Sequence, residues 1–386
     1  MSKVLFVIHE IGIGGSRTSL LNLLELLNRC GYRADLFIME HGGVFMDRAA
    51  ACANILPENT KLASIVCNRN NIKKYGIKGF VNRCIFLLKC NIRSHTIVIN
   101  DVYRTAAELI EEYDIAVAYQ EDSATDFVKY IKAKKRIAWI HTMYERFTVN
   151  RSHQEILETY SAFSNIVSVA PAAVNAIKNG LPELKERVCL IPNLINTEMI
   201  KKAALLNQYE ITDDVENVII SVGRLAPEKQ YDFAIRAAKR LAKEGYSFRW
   251  YIVGDGGEKG KLQAMIEEEN LVDNVFLLGA RENPYPLIYR ADVLVISSLY
   301  EAQPMVANEA LVLGVPVITT DYLTSKTLIK NGQDGIICET SVDGIYNAVK
   351  KFISNKTLSK NLTKGAKNFL YDNNSIFNKI LDLLCL

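Results

Sequence analysis

Short, continuous apolar runs recur along this chain, and each is followed by a longer stretch whose apolar residues fall at helical spacing. VLFVI (4–8) is the first run; Leu20, Leu23, Leu24 and Leu27 then repeat along one face of a helix that Gly31 ends. A strand without polar alternation has both faces covered, which is the condition of a parallel sheet. The same reading predicts strands at Ala34–Met39, Thr96–Asn100, Ile115–Tyr119, Arg136–Ile140 and Ile166–Val169. After VCLIPNLIN (188–196) the pattern restarts, with strands at Val218–Val222, Phe248–Val253, Val275–Leu278, Asp292–Ser297 and Val315–Thr320, and an amphipathic helix over Tyr231–Lys243. Alternation of this kind predicts an α/β chain built from right-handed β-α-β units, as two parallel sheets in tandem hinged near Pro192. A length of 386 residues fits two domains. They are expected at 1–195 and 196–369, with a C-terminal helix at about 370–386 packing back on the first.

Composition narrows the function. The net charge of +3 is too small to suggest a nucleic-acid partner. Eight cysteines include no C-x-x-C pair, so they read as small buried hydrophobes in a reducing compartment. MSKVLFVIHEIGIGG reads as a first strand rather than a signal peptide, and no run of about 18 apolar residues would span a bilayer. A cytoplasmic protein is expected. No D-x-D and no His/Cys cluster of ligand spacing occurs, so no metal is expected. The absence of G-x-x-x-x-G-K-[ST] speaks against a P-loop kinase.

The most informative stretch is SSLYEAQPMVANEALVLGVPVITTD (297–321), where Glu301 and Glu309 punctuate an otherwise apolar segment. The pattern predicts a buried strand, a loop at Leu299–Gln303, a helix over Pro304–Leu313 with Pro304 at its first position, and a stop at Gly314. Glu301 would then lie at the carboxyl end of a strand beside a helix N-terminus, where open α/β sheets bind ligands. The free amides of Met305 and Val306, with the helix dipole, would attract a phosphate. A carboxylate beside an anion site needs another task, and accepting hydrogen bonds from sugar hydroxyls is a suitable one. Glu309, roughly 7–8 Å further along the helix axis, could hold a second polyol such as a ribose. A hydrolase would need its two carboxyls facing each other across one bond at about 5–9.5 Å, which nothing in this pattern requires. Two solvated surface acids are the plain alternative.

The stretch resembles the E-x7-E signature of retaining glycosyltransferases of family 4. It matches through S-x-x-x-E-x-x-P-x-x-x-x-E-A-x-x-x-G-x-P-V, although Ala302 and Gln303 stand where the family's usual glycine and its neighbour would be. The resemblance implies the GT-B fold, two Rossmann-like domains with the active site in their cleft. An N-terminal domain would bind the acceptor and a C-terminal domain the nucleotide-sugar. SVGRLAPEKQYD (221–232) resembles the family's G-R-x-x-x-x-K element, which would make Arg224 and Lys229 the partners of the departing diphosphate. YIVGDGGEKGKL and NVFLLGARENPYPLIYRADVLVISS resemble its V-G-x-G and F-L-G segments, placing the base near Gly279 and Arg281. Gln303, Pro304, Met305 and Val306 would line the donor. His141, directly after a strand in RIAWIHTMYE (136–145), resembles the family's cleft histidine beside the donor sugar, and Glu301 would act with it.

HEIGIGGSRTSLLNLL (9–24) is a poor dinucleotide fingerprint, G-x-G-G rather than G-x-G-x-x-G, though Glu40 at the end of the second strand keeps a dehydrogenase as an alternative. By the resemblance, Gly14 and Gly15 reach the donor phosphates. Glu121 and Asp122 are candidate acceptor contacts.

Residues 61–100 hold eight Lys/Arg and no acid, mixed with Phe80, Val81, Ile85, Phe86, Leu87 and Leu88. This segment is either a peripheral contact with an anionic membrane or a helix packed by its apolar side with a solvated charged face.

The implied reaction is metal-independent transfer of a hexose or N-acetylhexosamine from a nucleotide-sugar, a UDP-sugar in the first instance, to a glycan or lipid-linked acceptor. No cofactor is implied. A non-catalytic nucleotide-sugar-binding protein and a nucleotide-sugar epimerase of the same fold are the alternatives.

Overall fold

All strand pairs in the computed structural model, which describes residues 2–149, 151–206 and 215–386, run parallel. The first seven strands are β1 (Val4–Ile8), β2 (Asp35–Ile38), β3 (Asn54–Ile55), β4 (Tyr113–Ala118), β5 (Ala133–Ile140), β6 (Asn165–Ser168) and β7 (Val188–Leu190). They form one sheet in the order β3-β2-β1-β4-β5-β6-β7. The next six are β8 (Val218–Val222), β9 (Arg249–Val253), β10 (Val275–Gly279), β11 (Val293–Ile296), β12 (Val317–Thr320) and β13 (Gly335–Cys338). Their order is β10-β9-β8-β11-β12-β13. The chain divides accordingly into Met1–Leu194 with Asn374–Leu386, and Ile195–Asn373.

The second sheet shows why its strands read as unbroken apolar runs. Ile219, Trp250, Ile252, Val293, Val295 and Ile318 enter one core cluster, while their alternating neighbours Val218, Ile220, Tyr251, Val253, Leu294 and Val317 enter another. Each face of the pleat therefore has its own core, and a polar residue on either side would be buried. In both sheets the first strand lies beside strands added in opposite directions. The chain turns from β1 to β2 on one side and later places β4 on the other; β8, β9 and β11 repeat this. Crevices at the carboxyl ends of such reversals are the ligand sites of open α/β sheets.

One expected strand is absent. Thr96–Asn100 lies inside the helix His95–Ala107, capped by the Ser94 side chain, which accepts from the Ile97 backbone N–H. The β-branched TIVI run favours a strand only weakly. Burial of Val98, Tyr103, Ala106 and Ala107 along one helical face decides the matter. Pro304 also shifts by one position: it caps the helix Met305–Val312 at ψ 109° instead of opening its first turn. The helix Tyr231–Lys243 forms over the predicted span. The C-terminal helix Asn373–Leu384 buries Ile376, Phe377, Ile380 and Leu384, and the Leu383 carbonyl accepts from Lys135 Nζ at 2.7 Å.

Candidate functional site

In the second unit the loops after β8 and β11 are laced together by backbone. The Leu299 N–H donates to the Glu228 carbonyl at 2.8 Å, and the Ser297 hydroxyl to the Lys229 carbonyl at 2.6 Å. This brings Lys229 Nζ to 2.5 Å from Glu301 Oε1, with both side chains mostly withdrawn from solvent. The Ser298 hydroxyl donates to the same carboxylate oxygen at 2.8 Å, and Thr324 fixes the Glu301 carbonyl from its own hydroxyl at 2.8 Å. The acid is thus neutralised and held, which answers how a carboxylate is tolerated beside a helix N-terminus. Immediately beyond it, Met305–Val312 begins at Pro304, which offers no side-chain cap to the helix's first amides.

Glu309 lies further along that helix and is 7% exposed; its Oε1 accepts from the Tyr285 hydroxyl at 3.3 Å. Neither glutamate of the motif is a solvated surface acid. Arg224 extends into solvent at 71% exposure, its guanidinium 2.6 Å from Glu228. The Glu228 carboxyl is lowered from its ordinary value: burial raises it, but its backbone hydrogen bond and Arg224 together outweigh burial. Gln303 donates to the Tyr371 hydroxyl at 3.2 Å, and burial pushes that phenol up to about 12. Ala302 is buried, so at 302 the chain carries a methyl group packed inward.

Gly279 ends β10 at φ +73°, and its carbonyl accepts from the Gly254 N–H at 3.0 Å. Gly254 in turn approaches so closely that a Cβ there would sit 1.8 Å from the Gly223 carbonyl oxygen. The loops after β10, β9 and β8 are therefore in backbone succession. Arg281, two residues after Gly279, points its Nη1 at the Ala280 carbonyl, 3.4 Å away. The structure joins Lys229 directly to Glu301, stations Glu309 on the adjoining helix, and carries Gly279 and Arg281 two strands away.

The first unit has its own convergence. His141 follows β5, its backbone N–H donating to Glu121 Oε2 at 3.0 Å and its ring 4.9 Å from that of Tyr119. The ring nitrogens are buried without a well-formed hydrogen bond. Burial and, after it, the Arg17 guanidinium hold the imidazole neutral, with a pKa lowered to about 3. Burial lifts the Glu121 carboxyl. Glu121, a candidate acceptor contact, is committed to the His141 backbone; Asp122 follows at φ +64° and is exposed. Gly14 precedes the helix Gly15–Arg29, which also lacks a side-chain cap; a Cβ on Gly14 would touch Arg17. Arg17 pairs with Glu10 at 2.9 Å.

Beside these groups lies a cavity of about 330 Å³ lined by Glu10, Glu40, His41, Gly43, Asn71 and Lys74 among others. Glu40 accepts from Asn71 Nδ2 at 2.5 Å and lies 3.8 Å from His9, so its carboxylate is already engaged. Sequence reasoning named neither the cavity's Asn71 and Lys74 nor Ser298, Thr324 and Tyr285. Ser298 stands three residues before Glu301 and was the one with a local signal; Tyr285 reaches Glu309 only through the packing of two helices. Among the described residues, no group of three or more His, Cys, Asp or Glu could hold a metal ion.

Comparison with known proteins meets this geometry in the second unit. Residues 207–369 match the family model described as glycosyl transferases group 1. An uncharacterized glycosyltransferase of Methanocaldococcus jannaschii is 35% identical over 151 residues, 38% of this chain and 37% of that protein. An Escherichia coli UDP-Gal:alpha-D-GlcNAc-diphosphoundecaprenol alpha-1,3-galactosyltransferase is 27% identical over 204 residues, 50% of this chain and 52% of that one. The chain thus spans about half, or less, of the length of these curated relatives. Among solved structures, Anabaena HepE in complex with UDP-glucose superposes with a TM-score of 0.74 at 17% identity over 100% of both chains. The chain has the GT-B fold, and the match to glycosyl transferases group 1 covers most of its second unit.

Proposed function

We propose that this protein is a retaining glycosyltransferase of family 4, moving a hexose or N-acetylhexosamine from a UDP-sugar to a glycan or lipid-linked acceptor of a bacterial surface polysaccharide. The observation that carries the reading is the Lys229–Glu301 pair at 2.5 Å beside the uncapped N-terminus of Met305–Val312. An incoming pyrophosphate would compete for Lys229 and take up the free amides, while Glu301, released from its cation, would accept from sugar hydroxyls. Arg224, exposed at the same loop, would close on the leaving diphosphate, and Glu309 would serve the ribose. These cations supply charge stabilisation of the kind a divalent ion gives elsewhere, so the reaction is proposed to need no metal. His141, half-buried and held neutral, would act near the anomeric carbon as a hydrogen-bonding group rather than as a cation.

The UDP-linked donor is supported by the UDP-glucose complex of HepE and by the UDP-Gal-dependent name of the E. coli relative. That relative's diphosphoundecaprenol acceptor, with the basic 61–100 segment of this chain, supports a lipid-borne acceptor at the anionic cytoplasmic face of a membrane.

A melting panel with UDP-, GDP- and ADP-sugars tests the donor, since a ligand that binds the folded state raises apparent stability with its concentration. Transfer of radiolabelled sugar in the presence of EDTA then tests the chemistry. A chain stabilised by none of the three donors, or one inactive without a divalent ion, would refute the corresponding part.

A further inference from the structure

The helix Gly76–Ile92 packs through its narrow side. Gly79 lies against Ser64, with 3.2 Å from an added Cβ to the serine's own, and Phe86 joins Ile65 and Val98 in a small core. At 100° per residue, Ile77, Phe80, Val81, Ile85, Leu88 and Ile92 fall within an arc of about 140° on the opposite side, and Asn91 is the one polar residue among them. All six are exposed, Ile77 at 85% and Ile92 at 86%. The helix therefore does not hide its apolar side in the first unit; it turns that side outward.

Charge says what covers it. Lys78 and Lys89 flank the stripe on one edge, both exposed, and residues 61–100 contain eight cations and no acid. An apolar stripe edged with lysines alone is complementary to anionic headgroups over acyl chains. No helix among the described residues is long and apolar enough to cross a membrane. We infer that Gly76–Ile92 lies in the plane of an anionic phospholipid bilayer, with Phe80 and Leu88 inserted below the headgroups and Lys78 and Lys89 at their level. The inference rests on the lipid-borne acceptor proposed above, and it adds which face meets the lipid. The preceding residues Asn71 and Lys74 line the 330 Å³ cavity, so this docking would set that cavity at the membrane surface.

Flotation of the full chain with vesicles of phosphatidylcholine alone, or mixed with phosphatidylglycerol, tests this. Binding is expected on the anionic vesicles only and to weaken as salt is raised. F80S/L88S should abolish it, and K78A/K89A should weaken it by about tenfold or more. Both pairs are exposed, so melting curves should stay at the wild-type position. No flotation at low salt, flotation unaffected by F80S/L88S, or self-association through this face without vesicle binding would each overturn the inference. The UDP-dependent melting shift is measured on the same samples. Its presence without flotation removes the membrane docking alone, whereas flotation without the shift removes the transferase reading alone.

Discussion

The carboxylate of Glu121 accepts the backbone N–H of His141 at 3.0 Å, so one half-buried acid fixes the loop that carries an imidazole whose ring nitrogens are buried. The interaction uses the main chain of His141 and leaves its ring to be positioned by Tyr119, 4.9 Å away between centroids. Glu121 is in this sense a support for the loop that ends β5, and an isosteric Gln should retain most of that support.

Burial of His141 makes folding sensitive to acid. Its folded pKa is lowered to about 3 from an ordinary 6.5, so between those values the unfolded chain binds the extra proton and stability rises with pH. Stability is fully present above pH 6.5 and falls on acidification, with a single-site slope of up to about 1.4 kcal/mol per pH unit. Glu121, raised by burial, contributes with the opposite sign above the usual carboxylate range. Urea melts of wild type and H141Q from pH 4.5 to 7.5 isolate the histidine: the difference between them should shrink or reverse toward low pH. H141A should retain the UDP-sugar melting shift and lose most transfer. Unchanged turnover would remove His141 from the reaction.

Substitution at the Lys229–Glu301 pair should separate nucleotide from sugar. E301Q keeps the shape and frees Lys229, so UDP should bind within about threefold of wild type while transfer falls by roughly 10²-fold. K229M instead leaves Glu301 unneutralised beside the anion site, so both UDP affinity and transfer should fall. Calorimetric titration with UDP, beside single-turnover transfer, checks the contrast. Equal losses of UDP affinity in both variants would mean that Glu301 does not serve the sugar.

Sequence made the second unit's frame legible because its signals are local. Continuous apolar runs gave β8, β9 and β11, and Glu301, Pro304 and Gly314 bracket one strand-loop-helix unit within 25 residues. The Lys229–Glu301 contact was not legible as a contact. In sequence the two residues read as partners of the diphosphate and of the sugar, and only the lacing of the β8 and β11 loops makes them each other's partner. Thr96–Asn100 misled because β-branched residues state a preference that helical packing of Val98 and Ala106 overrides. The direction of the apolar side of Gly76–Ile92 could not be read from periodicity, since a stripe facing a core and one facing away have the same spacing.

The close backbone passage between the loops after β8 and β9 should be intolerant of a side chain. A Cβ at Gly254 would lie 1.8 Å from the Gly223 carbonyl oxygen, with backbone on both sides and nothing flexible to yield. G254A should therefore destabilise the protein by roughly 2–4 kcal/mol and displace the loop that carries Arg224. Gly257, with nothing within 4 Å of its added Cβ, provides the control, and G257A should melt close to wild type. Chemical denaturation of the two variants reads the difference directly.

Glu309 gives the final test. The residue is 7% exposed, and its carboxylate accepts from the Tyr285 hydroxyl, which comes from the neighbouring helix Tyr285–Arg290. Removing that donor deprives a buried acid of a charge-assisted hydrogen bond, which costs about 1.5–3 kcal/mol. Y285F should lower the melting temperature accordingly. If Glu309 serves the ribose, a bound nucleotide offers its hydroxyls to the same carboxylate, so saturating UDP should recover part of the loss in Y285F beyond the stabilisation it gives wild type. A UDP-dependent shift of the same size in both proteins would assign Tyr285 and Glu309 to the core alone.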